Sequence, residues 1–231
     1  MKLRIKFAKY GAMKFIGHLD MMRFFQKAIR RADIDIKYSE GFSPHQIMSF
    51  AAPLGVGIES SGEYMDIEVL SMTSAEEIKQ SLNKVMVDGV EVLSVSVLPD
   101  NARNAMASVA AASYRLKMKE GNFPIDNLSG ILQDFYRQDK IPYTKETKKS
   151  VVELDLKQGL YEIGVDEDGA ICMLVNASSS GNIKPTMIFE KFCEFTRIEV
   201  PQSLYQITRL ETYTDSAKDG EAHKFVPLAS V

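Results

Sequence analysis

The chain has few cysteines and no long apolar runs, and both shortages exclude classes of protein. Its 231 residues include two cysteines, Cys172 and Cys193. Two cysteines cannot supply a disulfide framework, a paired-cysteine zinc site or the ligands of an iron–sulfur cluster, so we expect no resident metal and no cofactor. No run of 18 or more apolar residues occurs, and the first residues lack the pattern of a signal peptide. These absences predict a cytoplasmic protein without membrane contact.

The net charge is also small, at −3, which argues against strong general affinity for nucleic acid. This average conceals a gradient along the chain. Residues 1–50 hold ten Lys and Arg against four Asp and Glu, whereas the remaining 181 residues hold 18 against 27. A basic first segment can bind phosphates or an acidic protein face, although a chance fluctuation produces the same asymmetry.

The hydrophobic periodicity of residues 1–98 predicts the order strand, helix, strand, strand, helix, strand. Apolar and basic residues alternate in "LRIKFAK" (3–9), as in a strand with one buried face. From His18 to Ala32 the period changes to that of an amphipathic helix with a basic outer face. Short apolar runs punctuated by Gly and Pro come next, in "IDIKYSEGFSPHQIMSFAAPLG" (34–55), and account for the second strand. A strand in "GEYMDIEVL" (62–70), a second helix opened by a capping box at Ser74 and a strand in "VEVLSVSVL" (90–98) follow. This order is the ferredoxin-like βαββαβ arrangement.

A related pattern begins again at "YRLKMKE" (114–120), after a segment that reads as a linker at 99–111. We expect a helix near 125–138, a strand in "KKSVVELDLK" (148–157), a hairpin around Asp168-Gly169, a helix near 184–195 and a strand near 205–213. The predicted fold class is therefore α+β, with two ferredoxin-like units over residues 1–98 and 112–231 that arose by internal duplication. The polar C-terminal tail of the second unit is expected to be loosely held.

The helix that begins at His18 carries the first group of candidate functional residues. A histidine in the first helical turn feels the positive end of the helix dipole, which favours a neutral imidazole able to act as acceptor or base. A histidine that fills the core is the structural alternative. An acidic residue in the first turn is favourable to the helix dipole, so helix stability alone can account for Asp20. Arg23, Lys27 and Arg30 share one stripe, which either follows a phosphate backbone or is simply solvated.

The segment "YSEGFSPHQIMSFAAPLG" (38–55) carries the second group. Bends at Gly41 and Pro44 allow polar groups to converge on a small volume, among them Tyr38, Ser39, Glu40, His45 and Ser49. The rings of Tyr38, Phe42 and Phe50 can stack on bases beside the basic helix, as in recognition of single-stranded RNA. The alternative is that two of these three aromatics belong to the core, as aromatic residues beside apolar strands usually do.

Residues 15–69, from "FIGHLDMMRFF" to "GEYMDIEV", resemble the radical-SAM-associated protein family, whose members occur alone or fused behind B12-binding radical-SAM proteins. The similarity is dense over 3–70 and looser afterwards, at "GNIKPTMIFEKF" and "ITRLETY". The shared pattern lies on His18, Leu19, Asp20, Arg23, Tyr38 through Phe42, Pro44, His45, Ser49, Phe50, Ala51, Pro53 and Leu54. Gln46-Ile47 departs from it, because a basic residue is expected near that position. The resemblance implies work with RNA modification or with a radical-SAM partner in trans, and it supplies no reaction.

Three functions are consistent with these patterns. The first is an RNA-binding or substrate-presenting accessory protein, with tRNA among the candidate RNAs, rather than an enzyme by itself. Its RNA-binding residues would be Arg23, Lys27, Arg30, Tyr38, Ser39, Glu40, Phe42 and Ser49, supported by Asp20, Gly41 and Pro44. The second is a metal-independent ribonuclease in which His18 and His45 act as acid and base. The third is a scaffold that docks a radical-SAM enzyme through its acidic second half, without RNA binding.

Overall fold

The computed structural model describes residues 1–146, 151–218 and 220–230. They form a mixed α+β protein with mostly antiparallel strands, which confirms the predicted fold class. The chain divides into two compact units: unit 1 comprises Met1–Ala110 and Glu211–Val231, and unit 2 comprises Ala111–Leu210. The predicted boundaries at 98 and 112, the ferredoxin-like identity of each half and their duplication stay predictions.

Unit 1 has its helices and strands in the predicted βαββαβ order. They are β1 (Lys2–Lys9), α1 (His18–Arg31), β2 (Met48–Phe50), β3 (Glu59–Glu68), α2 (Ala75–Val85) and β4 (Val90–Leu98). A short helix, α3 (Ala105–Ser108), follows inside the segment that was expected to be a linker. Strand β1 is antiparallel to both β3 and β4, with Ile5 opposite Met65 on one side and Val95 on the other. Strand β2 pairs with β3.

The core of unit 1 forms where the apolar sides of α1 and α2 meet the strands. Phe25 of α1 is fully buried, and its ring centroid lies 4.8 Å from that of Phe7 on β1. Helix α2 begins as its sequence predicts, because the Ser74 hydroxyl accepts the backbone N–H of Glu77 at 3.1 Å. The 3.6-residue period of both helices thus correctly identifies which residues are buried, among them Met21, Phe25, Ile29, Ile78 and Leu82.

The predicted alternation in β1 is wrong at Arg4, which is only 3% exposed. Its guanidinium donates to both carboxylate oxygens of Asp66, at 2.9 and 3.1 Å, and to the backbone carbonyls of Leu228 and Arg103, at 3.1 and 3.0 Å. Asp66 also accepts the backbone N–H of Ala105 at 2.6 Å. A buried charge is tolerated when it is paired and hydrogen-bonded in this way, so the arginine does not need to reach solvent.

Unit 2 has one more hairpin than its sequence pattern indicates. Its elements are β5 (Ala111–Met118), α4 (Leu128–Tyr136), β6 (Pro142–Glu146), β7 (Val151–Asp155), β8 (Leu160–Val165), β9 (Ile171–Asn176), α5 (Pro185–Thr196) and β10 (Tyr205–Asp215), which enters unit 1 at Glu211. Strand β6 was missed and pairs with β7. The predicted hairpin at Asp168-Gly169 joins β8 to β9 and is confirmed, with Gly169 at φ +73°. Residues 148–150 of the expected strand lie outside the described residues.

The C-terminal tail is not loosely held, contrary to the expectation. Strand β11 (Phe225–Pro227) pairs with β10, with Thr214 opposite Val226. The next residue, Leu228, is fully buried, and its carbonyl accepts a hydrogen bond from Arg4. The polar composition of the tail hides this attachment, because it depends on pairing with β10 and on Arg4, which lies 224 positions away in the chain.

Glu211, the first residue of β10 that belongs to unit 1, accepts two further long-range hydrogen bonds. Its carboxylate accepts from the Lys6 ammonium at 2.6 Å and from the Tyr64 hydroxyl at 2.7 Å. Burial raises the pKa of Tyr64 far above its ordinary value, and the hydrogen bond to Glu211 raises it further. The last part of the chain is therefore joined to β1 and β3 by buried or half-buried polar contacts.

Candidate functional site

Helix α1 presents the predicted basic stripe to solvent. Arg23, Lys27 and Arg30 are all exposed, and their spacing of four and three residues places them on one side of the helix. Arg23 pairs with Asp20 at 3.1 Å, but both side chains are at least 65% exposed. Because solvent and salt screen such a pair, it contributes little to stability and leaves the arginine able to exchange partners. The stripe has the exposure that phosphate binding requires.

The second group lies on a hairpin-like loop between α1 and β2. Tyr38 and Gln46 form an isolated antiparallel bridge, and the Ser39 backbone N–H donates to the His45 carbonyl at 2.8 Å. The tip, residues 40–44, is exposed and includes Gly41 at φ +108°. Since this value favours glycine, Gly41 has the turn-forming role predicted for it. Glu40 and Pro44 are exposed at the same tip, on either side of an exposed aromatic ring.

That ring is Phe42, whose side chain is fully exposed. Single exposed apolar side chains are common on protein surfaces, so the exposure by itself implies no partner, but it leaves both faces of this ring open to one. Tyr38, at the base of the loop, is 45% exposed. The expectation that two of the three aromatics belong to the core is correct only for Phe50, which is 9% exposed, because the loop places Tyr38 and Phe42 at the surface of unit 1.

His45 is oriented by its neighbour in the loop. Its Nδ1 lies 2.8 Å from the Ser39 hydroxyl, which also accepts the His45 backbone N–H at 3.1 Å. A longer contact of 3.5 Å joins Nδ1 to the Ser43 carbonyl. Within the described residues Nε2 has no hydrogen-bond partner, so this nitrogen is the one that a ligand can reach. Ser39 has a positioning role in the loop.

His18 has the position that its sequence predicts, at the first turn of α1, but its neighbours are apolar. It is half-buried, and its ring packs edge-on against Phe50 at 5.4 Å between centroids. In the described ranges no hydrogen bond or ring contact joins His18 to His45. The acid–base pair of the ribonuclease hypothesis stays a prediction, and the contacts of His18 are those of a residue that closes the core.

Ser49 lies apart from the loop residues with which it was grouped. It is half-buried on β2, opposite Asp66 of β3. There it lines a cavity of about 270 Å³ together with Lys2, Asp66 and Asn104. The spacing along the chain did not indicate this, because β2 pairs with β3 from Met48 onwards and this pairing places Ser49 opposite Asp66.

Gln46 is the residue that sequence analysis missed, although it was noted as a departure from the family pattern. Its side chain is buried, at 6% exposure. The amide Nε2 donates to the Gln26 carbonyl of α1 at 3.3 Å and lies 3.5 Å from the Tyr38 hydroxyl. The same Gln26 carbonyl accepts from Arg30 Nε at 3.3 Å. Gln46 thus attaches the aromatic loop to the basic side of α1, which makes them a single surface, the α1–loop surface.

Two kinds of feature are absent from the described residues. Among residues 1–146, 151–218 and 220–230, no group of three or more His, Cys, Asp or Glu side chains is placed to hold a metal ion. In the same ranges no helix has the length and apolar character needed to cross a membrane.

Comparison with known proteins identifies the family. The chain belongs to the family described as "Uncharacterized protein conserved in bacteria (DUF2344)", whose model matches residues 2–185. No curated protein matches the chain. Among solved structures it is similar to a chain from "Crystal Structure of a Cbf5-Nop10-Gar1 Complex", with 8% identity and a TM-score of 0.43. That match covers 91% of this chain and 48% of the other, so this chain spans about half the length of its structural neighbour.

Proposed function

We propose that this protein binds single-stranded RNA on the α1–loop surface and presents it to a modification enzyme. One observation carries the proposal: Gln46 forms a backbone bridge with Tyr38 and bonds the Gln26 carbonyl of α1, so Tyr38 lies beside the stripe of Arg23, Lys27 and Arg30. Cations that neutralise phosphates and aromatic rings that stack on bases are the two components of single-strand recognition. Here they come from different elements and are joined through one buried residue.

Stacking favours an unpaired strand over a duplex. Phe42 is fully exposed at a loop tip, and Tyr38 is 45% exposed at its base. A paired base hides both faces in the duplex stack, whereas an unpaired base offers a face to each ring. In this proposal His45 Nε2 bonds a base or a ribose hydroxyl, and Glu40 and Ser39 bond the sugar or base edge. The bound RNA lies along α1 and ends at the loop tip.

The proposed partner is a radical-SAM enzyme that acts in trans in the cytoplasm, with tRNA as the first RNA to test. The sequence resemblance described above suggests this partner. The binding module then contributes affinity and position, and the partner contributes the chemistry. If the two act together, tagged protein purified from cells should retain the enzyme, and nuclease treatment should release part of it. A partner that stays fully bound after nuclease treatment would favour the scaffold hypothesis.

The binding proposal is tested by the dependence of affinity on salt. We would measure fluorescence anisotropy of a labelled single-stranded RNA between about 50 and 200 mM salt. Each phosphate contact contributes roughly 0.7 to the slope of log K against log salt for a single strand. The triple variant Arg23→Gln, Lys27→Gln, Arg30→Gln should therefore lower the slope by about 2. A matched control replaces three exposed cations elsewhere, Lys84, Arg137 and Lys140, with Gln.

The control removes the same charge without touching α1 or the loop, so its slope should stay close to that of the parent. Equal losses in the two variants would show that only net charge matters and would refute a defined surface. Phe42→Ala provides an independent check, because loss of one base-stacking ring lowers affinity about 5- to 150-fold. If Phe42→Ala left the affinity for single-stranded RNA unchanged, the aromatic part of the proposal would be wrong.

A further inference from the structure

Gln46 carries an unused hydrogen-bond acceptor. Its Oε1 is the one buried side-chain nitrogen or oxygen without a hydrogen-bond partner in the part of the chain that the structure describes. The side chain is 94% buried. Buried polar atoms are nearly always paired, so an unpaired one needs a reason. An acceptor that is completed by a ligand is one such reason.

The orientation of the amide is fixed by its other contacts. The group 3.3 Å away is the Gln26 carbonyl, which can only accept, so the atom that faces it must be the donor Nε2. Exchanging the nitrogen and oxygen would place two acceptors against each other. With Nε2 engaged by Gln26 and Tyr38, Oε1 is the atom of Gln46 that is left for a ligand.

Tyr38 provides the route to this acceptor. Of the two groups that contact the Gln46 amide, the Tyr38 hydroxyl belongs to a side chain at the surface, and Tyr38 is 45% exposed. Their contact of 3.5 Å is at the limit of a hydrogen bond, so little is lost when the ring moves. An aromatic ring that shifts to stack on a base would uncover the amide beneath it.

We propose that Gln46 Oε1 accepts a hydrogen bond from the exocyclic amino group of an RNA base that stacks on Tyr38. This inference rests on the proposed function and adds a preference among bases. Adenine, cytosine and guanine carry such a group, at N6, N4 and N2. Uracil has none, and its remaining N3–H donor is flanked on both sides by carbonyl oxygens that would face Oε1. The α1–loop surface therefore favours a base with an amino group over uracil at one position.

The experiment compares short oligoadenylate, oligocytidylate and oligouridylate RNAs by fluorescence anisotropy. The parent protein should bind the first two about tenfold more tightly than the third, within the range for one base-edge contact. In Gln46→Met, which keeps the length of the side chain and removes the acceptor, the ratio should fall close to one. The variant also loses the Nε2 hydrogen bond to the Gln26 carbonyl, so the ratio is measured at a temperature well below its midpoint of unfolding. Gln80→Met on α2 is the matched control and should keep the ratio.

A second measurement changes the RNA and leaves the protein intact, so it does not depend on how Gln46→Met folds. Adenosine is replaced by purine riboside, which lacks the amino group. If the parent protein binds the purine riboside RNA about tenfold more weakly than the adenosine RNA, the inference is supported. Equal affinity for the two RNAs overturns it, and this is the result expected if Gln46 Oε1 only binds a water molecule. If the parent binds RNA through the basic stripe without base preference, only this inference fails. If the parent binds no RNA, the proposed function itself fails.

Discussion

Replacement of Arg4 by Met should be among the most destabilising single changes in unit 1. The substitution removes four hydrogen bonds, two to Asp66 and two to the carbonyls of Leu228 and Arg103. The side chains of Arg4 and Asp66 are 2% and 12% exposed, so the remaining carboxylate stays in a poorly hydrated place. Loss of one partner from a buried ion pair typically costs 3–5 kcal/mol. Since Asp66 keeps the N–H of Ala105 and some solvent contact, we expect about 3 kcal/mol.

The assay is urea denaturation followed by far-ultraviolet circular dichroism, which suits a chain without tryptophan. A loss of about 3 kcal/mol corresponds to a fall of roughly 6 to 12 °C in Tm for a protein of this size. Arg23→Met is the matched control, because it breaks the same type of ion pair with side chains 70% and 65% exposed. We expect about 0.5 kcal/mol or less from it. Equal losses from Arg4→Met and Arg23→Met would refute the reasoning that burial determines the cost.

Three further predictions concern a helix cap, a buried hydroxyl and a half-buried ion pair. Ser74→Ala should cost about 1 kcal/mol, because it removes the α2 cap. Tyr64 should stay protonated in an ultraviolet titration above pH 10, since burial and Glu211 raise its pKa. Burial is the largest single influence on the pKa of Asp166 and raises it, but the hydrogen bond and charge of Arg115, together with the backbone N–H groups of Ala170 and Asp168, outweigh burial and keep this pKa below its ordinary value. This stabilisation exists above about pH 4 and is lost as the pH falls, so Arg115→Gln should destabilise at neutral pH and much less below pH 4.

Each of these predictions has a contradicting result. A Ser74→Ala variant as stable as the parent would show that the observed bond to α2 contributes nothing. Ionisation of every tyrosine by about pH 10 in the folded protein would contradict the raised pKa of Tyr64. A stability difference for Arg115→Gln that stayed constant through the acid range would show that Asp166 does not depend on this arginine.

Local pattern was sufficient to predict the four longer helices and most strands of this fold, but not the short helix α3. The sequence around His18 gives the period of α1, and Ser74 marks the start of α2, because both signals act within a few residues. Arg4 could not be predicted as buried, since its partners Asp66 and Leu228 are 62 and 224 positions away. The alternation of apolar and polar residues predicts which side of a strand faces the core. It does not show that a charged residue on the other side has a buried ion-pair partner.

In the candidate site, too, local features could be predicted and long-range contacts could not. Composition and spacing singled out the basic stripe of α1 and the loop from Tyr38 to His45, and the structure places both at the surface. The residue that joins them, Gln46, looked like a defect in the pattern, because its role depends on contacts with Gln26 and Tyr38 that only folding creates. The available signal was a polar residue just ahead of the apolar start of β2. The sequence did not show that this residue is buried.

The division of unit 1 between the two ends of the chain has a consequence for synthesis on the ribosome. Unit 2, Ala111–Leu210, is translated in full before Glu211 and Leu228 leave the ribosome. At about 5–20 residues per second, the nascent unit 1 waits on the order of 5 to 20 s for the carboxylate that pairs with Lys6 and Tyr64. During that interval the polar groups of Arg4, Lys6 and Tyr64 lack their distal partners, and unit 1 is open to chaperones. Truncation after Ala110 would make this interval permanent.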